Sequence, residues 1–183
     1  GDGAITQDGY NTEEITTDTL TVLAAGGIDL DTNVATANLK TTAAGHVEID
    51  ETDTITLTRV ITDNGHIRLE AGDQINAIEI DTSHTDSSGQ ANSIAITSAA
   101  AGIHVGLVNA GATNTIILDA QGDAITQDGD EATDVLGSSL TADAIGGIDL
   151  DTAVDTLDLH AYSSGDITIT QDGNVVLTDI VST

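Results

Sequence analysis

The chain has 183 residues, of which 31 are Asp or Glu and 3 are Lys or Arg, so its formal net charge is −28 at pH 7. This charge excludes nucleic acid and anionic membrane surfaces as electrostatic partners. The absence of Cys excludes disulfides and thiolate chemistry. No apolar run reaches the roughly 18 residues of a membrane-spanning helix, so no membrane insertion is predicted. The chain also lacks Met, which predicts a processed product or a part of a longer polypeptide.

The sequence repeats itself over a long period. Residues 1–63 recur without a gap at residues 121–183, so the chain holds one and a half copies of a 120-residue unit. The run Ala-Ile-Thr-Gln-Asp-Gly at 4–9 returns at 124–129, and the run Gly-Gly-Ile-Asp-Leu-Asp-Thr at 26–32 returns at 146–152. Repetition at a fixed spacing is the signature of a solenoid or an array.

A shorter period lies inside the long one. The segments 27–31, 46–50 and 66–70 each alternate apolar and polar residues. Their first apolar residues are Ile28, Val47 and Ile67, which are almost evenly spaced along the chain. Such alternation predicts strands that bury one face. Further strands of this kind are predicted at 20–22, 55–57, 78–80, 94–96, 103–105, 116–118 and 175–177.

Short strands that return about every 20 residues predict a parallel β-helix, or β-solenoid, because each turn of such a coil comes back to the same face. A β-sandwich would instead need hairpins about every 8–12 residues. We therefore predict an all-β fold, in which residues 1–183 form one continuous β-solenoid of about nine coils around an aliphatic core. The polar segment 81–92 is predicted to project as a loop. The residues predicted to point inward are Ile28, Leu30, Val47, Ile49, Ile67, Leu69, Ile148, Leu150, Ile167 and Ile169.

Three runs of the sequence carry a family resemblance. Residues 138–183 contain the runs SSLTADAIGGIDLDTAVDTLDL and SGDITITQDGNVVLTDIVST, and residues 101–130 read AGIHVGLVNAGATNTIILDAQGDAITQDGD. These runs resemble the repeat arrays of filamentous-haemagglutinin-like adhesins and related giant bacterial surface exoproteins. The resemblance implies a right-handed parallel β-helix, secretion and a place at the cell surface. The repeats are similar to shaft material, since neither the family's secretion-signal domain nor an adhesive tip is visible in these residues.

Stacking of the three alternating segments would bring their acidic residues into columns. Asp31 would lie beside Asp50 and Glu70, with about 4.8 Å from one strand to the next, and unscreened carboxylates at that distance repel each other. Ca²⁺ accepts irregular sets of oxygen ligands and would relieve the repulsion. Asp151 holds the place of Asp31 in the second copy, so the predicted metal ligands are Asp31, Asp50, Glu70 and Asp151. The alternative is a solvated acidic face that binds counterions diffusely.

Basic and imidazole side chains are few. The column of Asp29, Glu48 and Arg68 could hold a salt bridge, since Arg68 can reach Glu48 on the neighbouring strand. His46 and His66 hold the same place before successive strands, so they could stack. We interpret them as surface residues, because a metal site needs at least about three convergent ligands.

Catalysis has little support in the sequence. Enzymes of this fold that cleave acidic polysaccharides need basic groups, and the chain has 3 Lys and Arg and no Phe or Trp on which a sugar ring could stack. No enzymatic activity is predicted, and Ca²⁺ is the one cofactor considered. The Thr-x-Thr elements at 19–21 and 54–58 are too sporadic for an ice-binding face.

The sequence thus predicts a structural protein, a β-helical segment of an extracellular filament or surface shaft whose acidic exterior is bridged by cations. Its first residue lies inside a repeat and residues 175–181 are strand-like, which predicts continued repeats or head-to-tail stacking of identical subunits, with lateral bundling. The alternative is an adhesin binding module that contacts host or neighbouring cells, or glycans, through an exposed face or the loop 82–92.

Overall fold

The computed structural model describes residues 3–7, 15–83, 92–130, 132–163 and 165–183. Within these ranges the chain forms strands and turns and no α-helix. The 17 strands join into one sheet, and every strand pairing among the described residues is parallel. The parallel β-solenoid predicted from the sequence is therefore confirmed.

The strands follow one another without an intervening helix in the described ranges. In chain order they are β1 Ile5–Thr6, β2 Ile15–Ala24, β3 Ile28–Thr41, β4 Val47–Glu51, β5 Ile55–Ile61, β6 Ile67–Ala71, β7 Ile75–Asp81, β8 Ile94–Ser98, β9 Ile103–Asn109, β10 Thr115–Ala120, β11 Ile125–Gln127, β12 Val135–Leu136, β13 Ser139–Ala144, β14 Ile148–Ala153, β15 Thr156–Ala161, β16 Ile167–Gln171 and β17 Val176–Ser182.

The strands stack in two ladders, which the chain visits in turn. The first ladder contains β1, the start of β3, β4, β6, β8, β10, β13, β15 and β17. The second contains β2, the end of β3, β5, β7, β9, β11 with β12, β14 and β16. The solenoid has about eight turns rather than the predicted nine. One turn is long, because Ile67 pairs with Ile94 and the polar segment 81–92 lies between them in the chain.

The register stacks the apolar positions as their even spacing predicts. Ile28 pairs with Val47, and Val47 pairs with Ile67. Each of the three side chains is at most 1% exposed, so the period-2 pattern of the sequence fills the interior of the coil. Of the residues predicted to point inward, Ile28, Leu30, Val47, Ile49, Ile67, Leu69, Ile148 and Leu150 are buried, and Ile167 and Ile169 are partly buried against the core.

One predicted alternation is wrong at a bend of the coil. The pattern placed Ile78 and Ile80 on the same face, but Ile80 is fully buried and Ile78 is 47% exposed. Strand β7 pairs with β5 at Ala77 and again at Ile80, and the two residues between them are skipped. The strand therefore turns there, and the bend shifts the inward positions by one residue.

The long repeat does not keep its two copies on the same ladder. Ile28 of the first copy lies on the first ladder, whereas its counterpart Ile148 lies on the second, paired with Ile125 and Ile167. On the first ladder Ile28 is followed, one turn at a time, by Val47, Ile67, Ile94, Ile116 and Leu140. Ile148 comes half a turn after Leu140, so the repeat spans five and a half turns and its copies exchange ladders.

The polar insertion is closed at its base. The Thr82 hydroxyl donates to the carbonyl oxygen of Asn92 at 2.6 Å, and the Asn92 amide oxygen accepts from the backbone N–H of Gly65 at 3.0 Å. The projecting loop predicted over 81–92 falls largely on residues 84–91, which lie outside the described residues.

Candidate functional site

The predicted acidic column forms on the first ladder. Asp31 pairs in register with Asp50, and Asp50 pairs with Glu70. Arg68 enters this column, with its guanidinium 3.8 Å from the Asp50 carboxylate and in contact with Glu70. Glu70 is therefore neutralised by an arginine, and no such ion pair forms at the Asp31 end of the column among the described residues.

Arg68 does not form the ion pair predicted for it. Among the described residues the Glu48 carboxylate instead meets His66, whose Nε2 lies 2.8 Å from Glu48 Oε1. The guanidinium reaches diagonally to Asp50 and along its own strand to Glu70. The long arginine side chain can cover both distances, so strand register alone does not select its partner.

Asp31 is the most confined member of the column. It is 6% exposed, and neither of its carboxylate oxygens has a hydrogen-bond partner among the described residues. Burial raises the pKa of neighbouring Asp29, and the charges of Glu48 and Asp31 add to the rise. Burial also raises the pKa of Asp50, where the charges of Glu70 and Asp31 act against the opposing guanidinium of Arg68.

The fourth predicted ligand, Asp151, lies on the second ladder and is not brought to Asp31. Its backbone N–H donates to Asp134 Oδ2 at 3.1 Å, and its carbonyl oxygen accepts from the backbone N–H of Asp134 at 2.9 Å. The repeat spans five and a half turns, so Asp31 and Asp151 lie about 26 Å apart along the axis, as well as on different ladders, and cannot share an ion.

A second acidic group was not predicted from the sequence. The residues 128–134 interrupt a strand, because β11 before them and β12 after them both pair with β9 and with β14. Carboxylate oxygens of Asp128, Asp130 and Asp134 lie within 4.8 Å of one another. Sequence reasoning missed the group because acids occur throughout the chain, although the insertion relative to the neighbouring strands could have marked it.

Hydrogen bonds within the segment account for this grouping. Asp128 Oδ1 accepts from the backbone N–H of Asp130 at 3.1 Å, and Asp130 Oδ1 accepts from that of Ala132 at 2.7 Å. Asp134 is 1% exposed, and burial raises its pKa to about 6 despite the hydrogen bond from Asp151. The group offers oxygen ligands of the kind that Ca²⁺ accepts, but turn formation explains its geometry without an ion.

The two histidines predicted as possible stacking partners do stack. The ring centroids of His46 and His66 are 3.8 Å apart, with 19° between the ring planes. Burial lowers the pKa of His46, and the charge of His66 lowers it further. Glu48 contacts the pair through His66, but the ligand atoms of His46, His66 and Glu48 do not all lie within 4.8 Å of one another.

A third histidine sits among carboxylates on the first ladder. His160 Nδ1 donates to Asp143 Oδ1 at 2.8 Å, and its Nε2 lies 3.4 Å from Asp158 and 3.7 Å from Asp179. The hydroxyl of Tyr162 donates to the same Asp143 oxygen at 2.9 Å. The hydrogen bond to Asp143 raises the pKa of His160, and the charges of the three carboxylates raise it further against the effect of burial.

We expect this histidine to make stability depend on pH. Since the pKa of His160 is raised in the folded chain, its contribution is complete below about 6.5, the value in the unfolded chain, and is lost as the pH rises through the folded value. In thermal melts, His160→Gln should therefore lower Tm most near pH 5.5 and least near pH 9. The control is His104→Gln, whose ring contacts the Thr126 hydroxyl at 3.1 Å. A Tm difference for His160→Gln that is constant with pH would contradict the prediction.

No known protein family, curated protein or solved structure matches this chain. The described residues contain no helix long and apolar enough to span a membrane. The fold defines the class: the chain is a parallel β-solenoid repeat protein.

Proposed function

We propose that the chain is a structural segment, the shaft of an extracellular rod or filament in a giant repetitive surface protein. The observation that carries the proposal is the parallel pairing that runs from β1 to β17 around one aliphatic core. Each turn adds the same two ladder positions, so length along the axis is the property that such a chain supplies. A net charge of −28 keeps neighbouring rods apart until cations bridge them into bundles.

The last turn supports self-association or continued repeats. On β17 the apolar residues Leu177 and Ile180 are 61% and 41% exposed. They pair with Leu157 and Leu159 of the turn before, which are 2% and 1% exposed. A further turn of the same kind would bury Leu177 and Ile180 equally well, whether it belongs to the same polypeptide or to a second copy stacked head to tail.

Head-to-tail stacking can be tested by placing a charged side chain on the exposed apolar surface of the last turn. Leu177→Lys should abolish concentration-dependent association of the purified chain in sedimentation velocity and shorten the particles seen by electron microscopy, because an unpaired ammonium would be trapped between turns. The control is Ile117→Lys, since Ile117 is 46% exposed on a central strand, β10. A chain that stays monomeric at all concentrations would contradict stacking. A source polypeptide near 18.5 kDa, the mass of this chain, would contradict continued repeats as well.

The surface location is tested on the source cells. Gold-labelled antibody raised against the purified chain should decorate intact cells along filaments, and brief protease treatment of intact cells should remove the label. Label that appears in permeabilised cells alone would contradict an extracellular shaft. Capture of cells or glycans by isolated, unassembled rods would instead favour the adhesin function.

A further inference from the structure

Asp31 has a buried carboxylate that receives no hydrogen bond and no ion pair from the described residues. Its side chain is 6% exposed, and both of its carboxylate oxygens are buried without a hydrogen-bond partner in that part of the chain. A buried carboxylate in such surroundings is strongly unfavourable unless a positive charge or several donors satisfy it. Asp31 therefore calls for a positive charge from outside the described residues.

Other oxygen atoms surround this position. Asp29 lies two residues before Asp31 on the same strand, and Asp50 pairs with Asp31 on the next strand. The Gln7 side chain donates through Nε2 to Asp29 Oδ1 at 3.4 Å, and its Oε1 is buried with no donor among the described residues. The acceptor excess thus extends beyond the carboxylates to an amide oxygen.

The arginine nearest to this position is engaged elsewhere. Arg68 approaches the column from its other end, 3.8 Å from Asp50 and in contact with Glu70. None of the ion pairs formed among the described residues reaches Asp29 or Asp31. Arg68 therefore pairs with two of the three carboxylates of the column, Asp50 and Glu70, and leaves Asp31 without a cationic partner among the described residues.

We propose that Asp31 is the centre of a specific Ca²⁺ site, completed by Asp50, Asp29 and the Oε1 atom of Gln7. All four groups offer oxygen, and Ca²⁺ binds about 6–8 oxygens in a flexible geometry that admits waters. Neighbouring strands lie ~4.8 Å apart, so one Ca²⁺ with Ca–O distances of about 2.3–2.6 Å can bridge side chains of β3 and β4. The carboxylates of Asp29, Asp31 and Asp50 do not all lie within 4.8 Å of one another in the structure, so the side chains would have to draw together around the ion. This site differs from the set of ligands predicted from the sequence. It omits Glu70, which contacts Arg68, and Asp151, which lies on the other ladder.

The second copy of the repeat supplies an independent observation. Gln127, the counterpart of Gln7, also has a buried Oε1 without a donor among the described residues. Directly after it, carboxylates of Asp128, Asp130 and Asp134 lie within 4.8 Å of one another. The unpaired glutamine oxygen is therefore common to both copies of the run Ala-Ile-Thr-Gln-Asp-Gly, whereas Asp128, Asp130 and Asp134 accept backbone hydrogen bonds and the unpaired carboxylate is particular to Asp31. The inference does not depend on the proposed shaft function, because the site lies within one chain.

The test measures Ca²⁺ directly on the full chain. Isothermal titration with CaCl₂ and equilibrium dialysis should show that Asp31→Asn binds one Ca²⁺ fewer per chain than the unsubstituted protein. Without Ca²⁺ the same variant should have a higher Tm, since it removes a buried carboxylate that has no hydrogen-bond partner among the described residues. The matched control is Asp73→Asn, the same change at an exposed position in the turn between β6 and β7. It should keep the full number of ions.

A second variant keeps the test decisive if Asp31→Asn fails to fold. Asp50 is exposed, so Asp50→Asn should fold and should bind Ca²⁺ at this site at least tenfold more weakly. The inference is overturned if both variants bind as many ions as the unsubstituted protein, or if Asp73→Asn loses as much binding as Asp31→Asn. An equal rise of Tm with NaCl at matched ionic strength would show diffuse screening and would also overturn it.

Discussion

Ile148→Asp is expected to lower the free energy of unfolding by about 5 kcal/mol, enough to remove most of the stability of an ordinary domain. Ile148 is 1% exposed, and it pairs with Ile125 on one side and Ile167 on the other. An aspartate in this stack would lose the apolar contacts and would place a charge among aliphatic side chains with no donor in reach. Neighbouring turns stabilise each other, so the damage should spread along the second ladder.

The measurement is urea denaturation followed by circular dichroism, with Ile117→Asp as the matched control. Ile117 is the same residue type on a central strand of the first ladder, but its side chain is 46% exposed and points outward. Its replacement should change the free energy of unfolding by less than about 1 kcal/mol. Equal losses in the two variants would show that added charge, rather than burial of the isoleucine, sets the cost.

The inner face of the first ladder could be predicted because its alternation is strict and its first turns are uniform. Ile28, Val47 and Ile67 are almost evenly spaced, and each begins an apolar–polar–apolar run. Equal spacing leaves one register that buries all three, so the pattern determines the pairing. Where a strand bends, as between Ala77 and Ile80, the same pattern predicts the wrong face.

The exchange of ladders between the repeat copies could not be predicted in this way. The turn from Ile67 to Ile94 contains many more residues than the turn from Leu140 to Leu157, although each advances the first ladder by one strand. With turns that differ this much, the length of the repeat does not reveal whether it spans a whole or a half number of turns. The position of Asp151 relative to Asp31 depends on that number, and it became visible only in the pairing.

Part of the candidate site could be predicted from the sequence and part could not. The column of Asp31, Asp50 and Glu70 follows from strand register, and it could be read from the sequence. The choice of Arg68 among its acidic neighbours and the burial of Asp31 depend on side-chain reach and on what covers the strand. Neither the partner of Arg68 nor the burial of Asp31 follows from the alternation of apolar and polar residues, so neither could be predicted from the sequence.

A glycine at the corner between β3 and β4 sets how closely successive turns approach. A Cβ atom added at Gly45 would lie 2.5 Å from the carbonyl carbon of Gly26 and 2.9 Å from its oxygen, distances at which backbone must move. The Gly45 N–H also donates to the carbonyl oxygen of Asn64 at 2.9 Å, so the corner is held to the turn on its other side as well. Glycine is required here by close backbone approach.

Gly45→Ala is therefore expected to cost about 3 kcal/mol, the upper end of the usual effect of overpacking, because the obstructing atoms belong to backbone on the adjacent turn. The same urea denaturation measures it. Gly3→Ala is the control, since a Cβ atom at Gly3 would have no neighbour within 4 Å. That variant should stay within about 0.5 kcal/mol of the unsubstituted chain. If the two variants were equally stable, the spacing of the turns would have to be set by the strand ladders alone, with the corner yielding to the added methyl group.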